Sequence, residues 1–226
     1  LPGLGKTRLV DTLSTVMGLQ GSRIQFTPDL MPADIIGSEV LEEGDGGKRS
    51  FRFIPGPVFC QLLMADEINR ASPRTQSALL QAMQEKRTTV NGVSRDLPRP
   101  FHVMATQNPI EQEGTYPMPE AQLDRFLMQI NVTYPPLDAE RHMLVVTTSA
   151  ERYTPRPIIS ASQLEQMQAL VREIPVGDKV VNDILGRIRR ARPDSETALP
   201  EVKEFVSWAP GPRAAQALML SAKAKA

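Results

Sequence analysis

The stretch Leu62-Leu63-Met64-Ala65-Asp66-Glu67 constrains this chain more than any other, because four apolar residues run directly into two adjacent carboxylates. An unbroken apolar run fits a strand covered on both faces, as in a parallel sheet flanked by helices. Ligands of such sheets bind beyond the carboxyl ends of the strands, which is where Asp66 and Glu67 would be delivered. One acid there can hold a metal ion while the other activates a water, a division of labour used in nucleoside triphosphate hydrolysis. A strand end followed by solvated turn acids fits the same letters, so a partner motif has to decide.

That motif opens the chain. Leu1-Pro2-Gly3-Leu4-Gly5-Lys6-Thr7 matches the second part of G-x-x-x-x-G-K-[ST], with the first glycine falling one residue before the sequence starts. Glycines let backbone N–H groups wrap phosphate, a lysine reaches the β- and γ-phosphates, and a hydroxyl meets magnesium. Gly5, Lys6 and Thr7 supply these parts. Leu9, Val10, Leu13, Val16 and Met17 then share one helical face, so the loop leads into a helix whose N-terminus favours an anion. Leu1 is no initiator methionine, and the sequence reads as lacking an N-terminal piece, including the strand that would feed the loop.

Composition narrows the class. The 226 residues are 41% hydrophobic and 23% charged, an ordinary globular balance. Lys plus Arg and Asp plus Glu both number 26, so no global field recommends nucleic acid or an anionic membrane. No apolar run approaches the ~18 residues of a membrane span. The single cysteine, Cys60, has no intrachain partner and reads as a small core residue, consistent with a cytoplasmic protein.

The remaining elements follow in order. Ile24-Gln25-Phe26 alternates like a strand, and Pro28 and Pro32 break what comes next. Glu39-Val40-Leu41 and Ser50 to Ile54 read as the arms of a protruding hairpin around a glycine-rich tip. Ser72 is a helix cap followed by Pro73 at the first helical position, with the helix running to about Gln84. Arg70 and Arg74 near its start are surface candidates for contact with a neighbour. Asn91-Gly92 between β-prone residues signals a second hairpin. Phe101 to Ala105 reads as a strand ending in Thr106-Gln107-Asn108-Pro109, where Asn108 could orient water or touch the terminal phosphate, or serve as a turn residue ahead of proline. Residues 119–126 read as a short helix and 127–132 as another strand, with Arg125 at their junction. Such an arginine can pair within the fold or reach across a subunit boundary. Pro135-Pro136 marks a boundary between an α/β nucleotide-binding core, 1–135, and a small all-α lid, 136–226, that stops in its last helix. The lid helices read as 139–147, 162–173, 179–190 and one beginning near Pro212, with Arg213 at its start.

Taken together, Gly3-Leu4-Gly5-Lys6-Thr7, the run from Leu63 to Arg70, Ala105 to Pro109, Leu123-Asp124-Arg125-Phe126 and Gly211-Pro212-Arg213-Ala214 resemble the MoxR family of AAA+ ATPases. They occur in that family's order, and both hairpins fall where this branch carries its helix-2 insert and its hairpin before sensor 1. Magnesium chelatase ATPase subunits are similar. The resemblance implies a P-loop NTPase fold in which Gly3, Leu4, Gly5, Lys6 and Thr7 bind ATP, and Thr7 and Asp66 hold Mg²⁺. It further implies Glu67 as catalytic base, Asn108 as sensor 1, Arg125 as an arginine finger acting on the neighbouring subunit's ATP, and Arg213 as sensor 2. A homo-oligomeric ring, commonly hexameric, would couple ATP turnover to chaperone-like activation or metal-centre maturation of client proteins, with von Willebrand factor A domain proteins as partners. Two other functions share these motifs: an assembly scaffold that hardly hydrolyses ATP, and a nucleic-acid motor with Lys48, Arg49, Arg87 and Arg95 as a basic rim.

Overall fold

The computed structural model describes residues 4–43, 49–107, 114–149 and 154–226. It divides into two compact units, each made of two stretches: Leu1–Pro117 with Asn131–Leu164, and Met118–Ile130 with Glu165–Ala226.

The first unit is built on a parallel sheet of β1 (Gly21–Gln25), β4 (Leu62–Asp66) and β7 (His102–Ala105), in the order β1-β4-β7. The apolar run therefore becomes the middle strand. Leu62, Leu63, Met64 and Ala65 are all at most 3% exposed, as a strand covered on both faces requires. Helix α1 (Lys6–Val16) sets Val10, Leu13 and the adjoining Met17 against Leu62 and Met64, with Leu19, Met104, Ala161 and Leu164 completing that cluster. Leu9, grouped with this apolar face on spacing, points outward instead and is 54% exposed. Cys60 is buried, and burial pushes its thiol up to about 11, so it is a core residue with no thiolate character near neutral pH.

Both hairpins form. β2 (Ser38–Glu43) pairs with β3 (Arg49–Ile54), and β5 (Arg87–Val90) pairs with β6 (Val93–Asp96). Asn91 and Gly92 both take positive φ, 49° and 79°, the backbone that a two-residue type I′ turn demands. The foot of the first hairpin is pinched: a Cβ on Gly37 (φ 92°) would strike the Ile54 carbonyl, and one on Gly56 the Ile35 carbonyl. The hairpins are also tied to each other. Glu39 accepts from Asn91 Nδ2 at 3.0 Å and from Arg95 Nη2 at 3.1 Å, and the Arg95 guanidinium lies 3.9 Å from the centre of the Phe53 ring.

Helix α3 (Pro73–Glu85) starts as its sequence dictates, with Ser72 Oγ accepting from the Thr75 amide and Pro73 at the first position. Its Leu79 and Leu80 are fully buried. Pro32, read above as a breaker, instead occupies the first position of a short helix, α2 (Pro32–Ile36), where its missing N–H costs nothing. The expected strand over 127–132 does not form. Leu127, Met128, Ile130 and Val132 are 40–67% exposed, and among the described residues no strand pairs with this segment. Helix α5 (Leu137–Thr148), which follows Pro135-Pro136, belongs to the first unit.

The second unit is helical: α4 (Glu120–Leu123), the later part of α6 (Ala161–Glu173), α7 (Asp178–Arg190), α8 (Pro200–Phe205) and α9 (Pro212–Lys225). Ile184 and Ile188, four residues apart, are the buried seam of α7. Asp178 in its first turn and Arg187, Arg189 and Arg190 in its last complement the helix dipole. Arg192 Nε donates to the Pro210 carbonyl at 3.0 Å, holding the approach to α9. Helix α8 was not anticipated, being too short for periodicity to reveal.

Candidate nucleotide site

Gly5 carries the start of the site. With φ 72° it occupies the left-handed region that glycine enters without strain, and nothing fills the space beside its Cα. The chain turns there into α1, whose first intrahelical bond is Leu9 N to Gly5 O at 2.9 Å. The amides of Lys6, Thr7 and Arg8 thus precede that bond and belong to the donor-rich end of a helix, a natural seat for phosphate. Leu4 lies in the same described loop, whereas Gly3 lies outside the described residues.

Asp66 ends β4 with its side chain only 15% exposed. Register explains its neighbours: Gln25 of β1 is its Cα partner on one side, and on the other Ala65 pairs with Ala105, bringing Thr106 alongside. The Thr106 hydroxyl donates to Asp66 Oδ1 in a short hydrogen bond, and Arg23 Nη2 donates to Oδ2 at 2.7 Å. Desolvation alone would raise the carboxyl, but the Thr106 hydroxyl, Arg23 and the positive charge of Lys6 outweigh it and hold Asp66 below the usual carboxylate range. That the Lys6 charge reaches Asp66 places the two motifs, sixty residues apart in sequence, in one electrostatic neighbourhood.

Glu67 leaves the strand in a left-handed conformation, φ 54°, uncommon for a residue with a side chain. It caps a 3-10 turn, Ile68–Arg70. Two bonds hold the turn in place: the Glu67 amide donates to Thr106 Oγ1 at 2.9 Å and the Ile68 amide to the Thr106 carbonyl at 3.0 Å. The Glu67 carboxylate has partners of its own beside those of Asp66. Its Oε2 accepts from Gln25 Nε2 at 2.8 Å and from Arg70 Nη1 at 3.1 Å. Arg70, a candidate for contact with a neighbour, is thus an internal partner of Glu67, while Arg74 is exposed.

Among the described residues no group of three or more His, Cys, Asp or Glu could form a dedicated metal cage. Mg²⁺ needs no such cage, since it binds through one or two protein oxygens together with phosphate oxygens and waters. One ionised carboxylate, Asp66, and the Thr7 hydroxyl at the phosphate end of α1 fit that requirement.

Asn108 lies outside the described residues. Arg125 and Arg213 belong to the second unit. Arg125 is exposed and follows α4, its amide donating to Gln122 O at 3.2 Å. Arg213, at the start of α9, is half-exposed with Nη1 3.9 Å from Asp124 Oδ2. Sequence reasoning missed Arg23, Gln25 and the specific part played by Thr106. Their signal is weak: two polar residues separated by one in a strand share a face, but only the pairing with β4 shows which face that is.

Comparison with known proteins agrees with this architecture. Residues 1–128 match the family model described as the ATPase family associated with various cellular activities (AAA). The whole chain is 40% identical to the chaperone MoxR1 of Mycobacterium tuberculosis, spanning 59% of that protein, and 40% identical to the YeaC protein of Bacillus subtilis, spanning 67% of it. A crystal structure of a candidate ATPase from Cytophaga hutchinsonii superposes with a TM-score of 0.88 at 39% identity, over 99% of this chain and 67% of that one. The fold is that of an α/β P-loop NTPase with a helical lid. Within that class, the chain belongs to the MoxR family of AAA+ ATPases.

Proposed function

We propose that this chain is the engine of an ATP-hydrolysing MoxR-type ring, in which turnover drives remodelling, activation or metal-centre maturation of client proteins. The observation that carries the reading is the placement of Asp66 and Glu67 at the tip of the middle strand, within reach of the Lys6 charge. Gly3, Leu4, Gly5, Lys6 and Thr7 wrap and neutralise the phosphates of ATP, and Thr7 and Asp66 hold Mg²⁺, which when bound offsets charge on those phosphates. Asp66, whose carboxyl lies below the usual range, is ionised at neutral pH as this role requires. Glu67, whose carboxylate is held by Gln25 and Arg70 in place of the metal, serves as the base that takes a proton from water. Asn108 as sensor 1, Arg125 as a finger for the adjoining subunit and Arg213 as sensor 2 complete the machinery, so the competent form is a homo-oligomer, a hexameric ring, working in the cytoplasm. In this reading the core is 1–135 and the lid 136–226. The relative named as a chaperone, MoxR1, supports client remodelling, and proteins with von Willebrand factor A domains are the expected partners.

Glu67→Gln in the full-length protein should retain ATP binding and lower turnover by about 10²- to 10⁴-fold, the usual contribution of a general base. Unchanged hydrolysis would remove Glu67 from this role. A second reading, an assembly scaffold that hardly hydrolyses ATP, draws on Glu67 Oε2 being engaged by both Gln25 and Arg70. Steady-state phosphate release from the assembled ring separates the two.

A further inference from the structure

We propose that Arg23 is a resident counter-ion of Asp66 that must leave before Mg²⁺ is bound, so that this arginine sets how much Mg²⁺ the protein needs to load nucleotide. The inference rests on Asp66 being a metal ligand.

Both oxygens of Asp66 are occupied by protein donors, Oδ1 by the Thr106 hydroxyl and Oδ2 by Arg23 Nη2 at 2.7 Å. Mg²⁺ coordinates carboxylate oxygen at about 2.0–2.1 Å in strict octahedral geometry. A guanidinium and a dication on one largely buried carboxylate repel each other, and burial strengthens that repulsion. The neutral Thr106 hydroxyl can share its oxygen with the ion, so the cationic donor is the one that has to yield, and the anchoring of the two agrees. Thr106 is fixed by its backbone, its amide donating to Ala65 O at 2.9 Å and its carbonyl accepting from Ile68. Arg23 is anchored in β1 by its backbone, but its guanidinium ends a long side chain that is 48% exposed. Its other acceptor, Gln25 Oε1, is distant at 3.4 Å. Arg23 thus has an open route to water and little else to hold it. An ion pair with one partner this exposed is weak, so its competition is modest: about two- to five-fold in apparent metal affinity.

The test measures binding of a fluorescent ATP analogue to the full-length protein while Mg²⁺ is titrated, and again in EDTA, for wild type, Arg23→Gln, Arg23→Lys and Asp66→Asn, with circular dichroism confirming each fold. Arg23→Gln should lower the Mg²⁺ midpoint about two- to five-fold and leave the affinity in EDTA unaltered. Arg23→Lys, which keeps the charge, should stay near wild type and serves if the glutamine variant folds poorly: a midpoint raised in Arg23→Lys overturns the inference. So does an unchanged or raised midpoint in Arg23→Gln when Asp66→Asn does raise it, and in that case the metal site stands. If Asp66→Asn leaves the Mg²⁺ dependence untouched, or if wild type binds no nucleotide, the underlying site reading fails and the inference with it.

Discussion

Two apolar runs, Leu62–Asp66 and 127–132, differ in what surrounds them. In the first, parallel neighbours on both sides satisfy the backbone, and side chains on both faces are buried. In the second, Leu127, Met128, Ile130 and Val132 stand in solvent, and among the described residues no ladder partner meets them. The lesson is that an apolar β-prone run becomes a strand when hydrogen-bonding neighbours receive it, since the pattern carries information about faces and none about edges.

Three substitutions test this contrast, beginning with the largest effect. Leu63→Ala, at a fully buried position of the middle strand, should cost about 2–5 kcal/mol in urea unfolding, because the site sits between two paired strands and collapses poorly. A loss below about 1 kcal/mol would mean that the strand is far less tightly packed than its burial implies.

Thr106→Val probes the tip of the same strand and should cost about 1–3 kcal/mol, since the hydroxyl donates to Asp66 and accepts from the Glu67 amide. It also carries a pH signature. Asp66 has a folded pKa below its ordinary 3.8, so its stabilising contribution is present above that value and is lost as pH falls through the folded pKa. Wild type should therefore lose stability on acidification below about pH 4, and Thr106→Val and Asp66→Asn should each flatten that limb. Equal acid slopes in all three proteins would show that Asp66 is not held down as described.

Ile130→Ala should change the stability of this 226-residue chain by no more than about 0.5 kcal/mol, as expected of an exposed side chain. A loss comparable to that of Leu63→Ala would erase the contrast.

Much of the candidate site was legible before the structure. Gly5-Lys6-Thr7 and Asp66-Glu67 are contiguous motifs whose chemistry follows from residue type, and an apolar run ahead of the acids was enough to assign them to a strand tip. Ser72-Pro73 and Asn91-Gly92 were equally plain, because helix caps and tight turns are decided by a few adjacent residues. Arg23, Gln25 and Thr106 were not, since each acquires its partner through strand register between distant segments. The tie from Glu39 to Asn91 and Arg95 was hidden for the same reason.

What the sequence determined by itself, then, is the inventory of local signals: phosphate loop, paired acids, caps, turns and helical periods. These depend on neighbours a few residues away, where backbone geometry permits little choice. Tertiary structure alone decided which apolar run was received into the sheet. It also gave Glu67 a left-handed backbone and set Arg23 and Thr106 on the two oxygens of Asp66. Those outcomes depend on strand pairing across forty residues, and pairing is settled only when the whole unit packs.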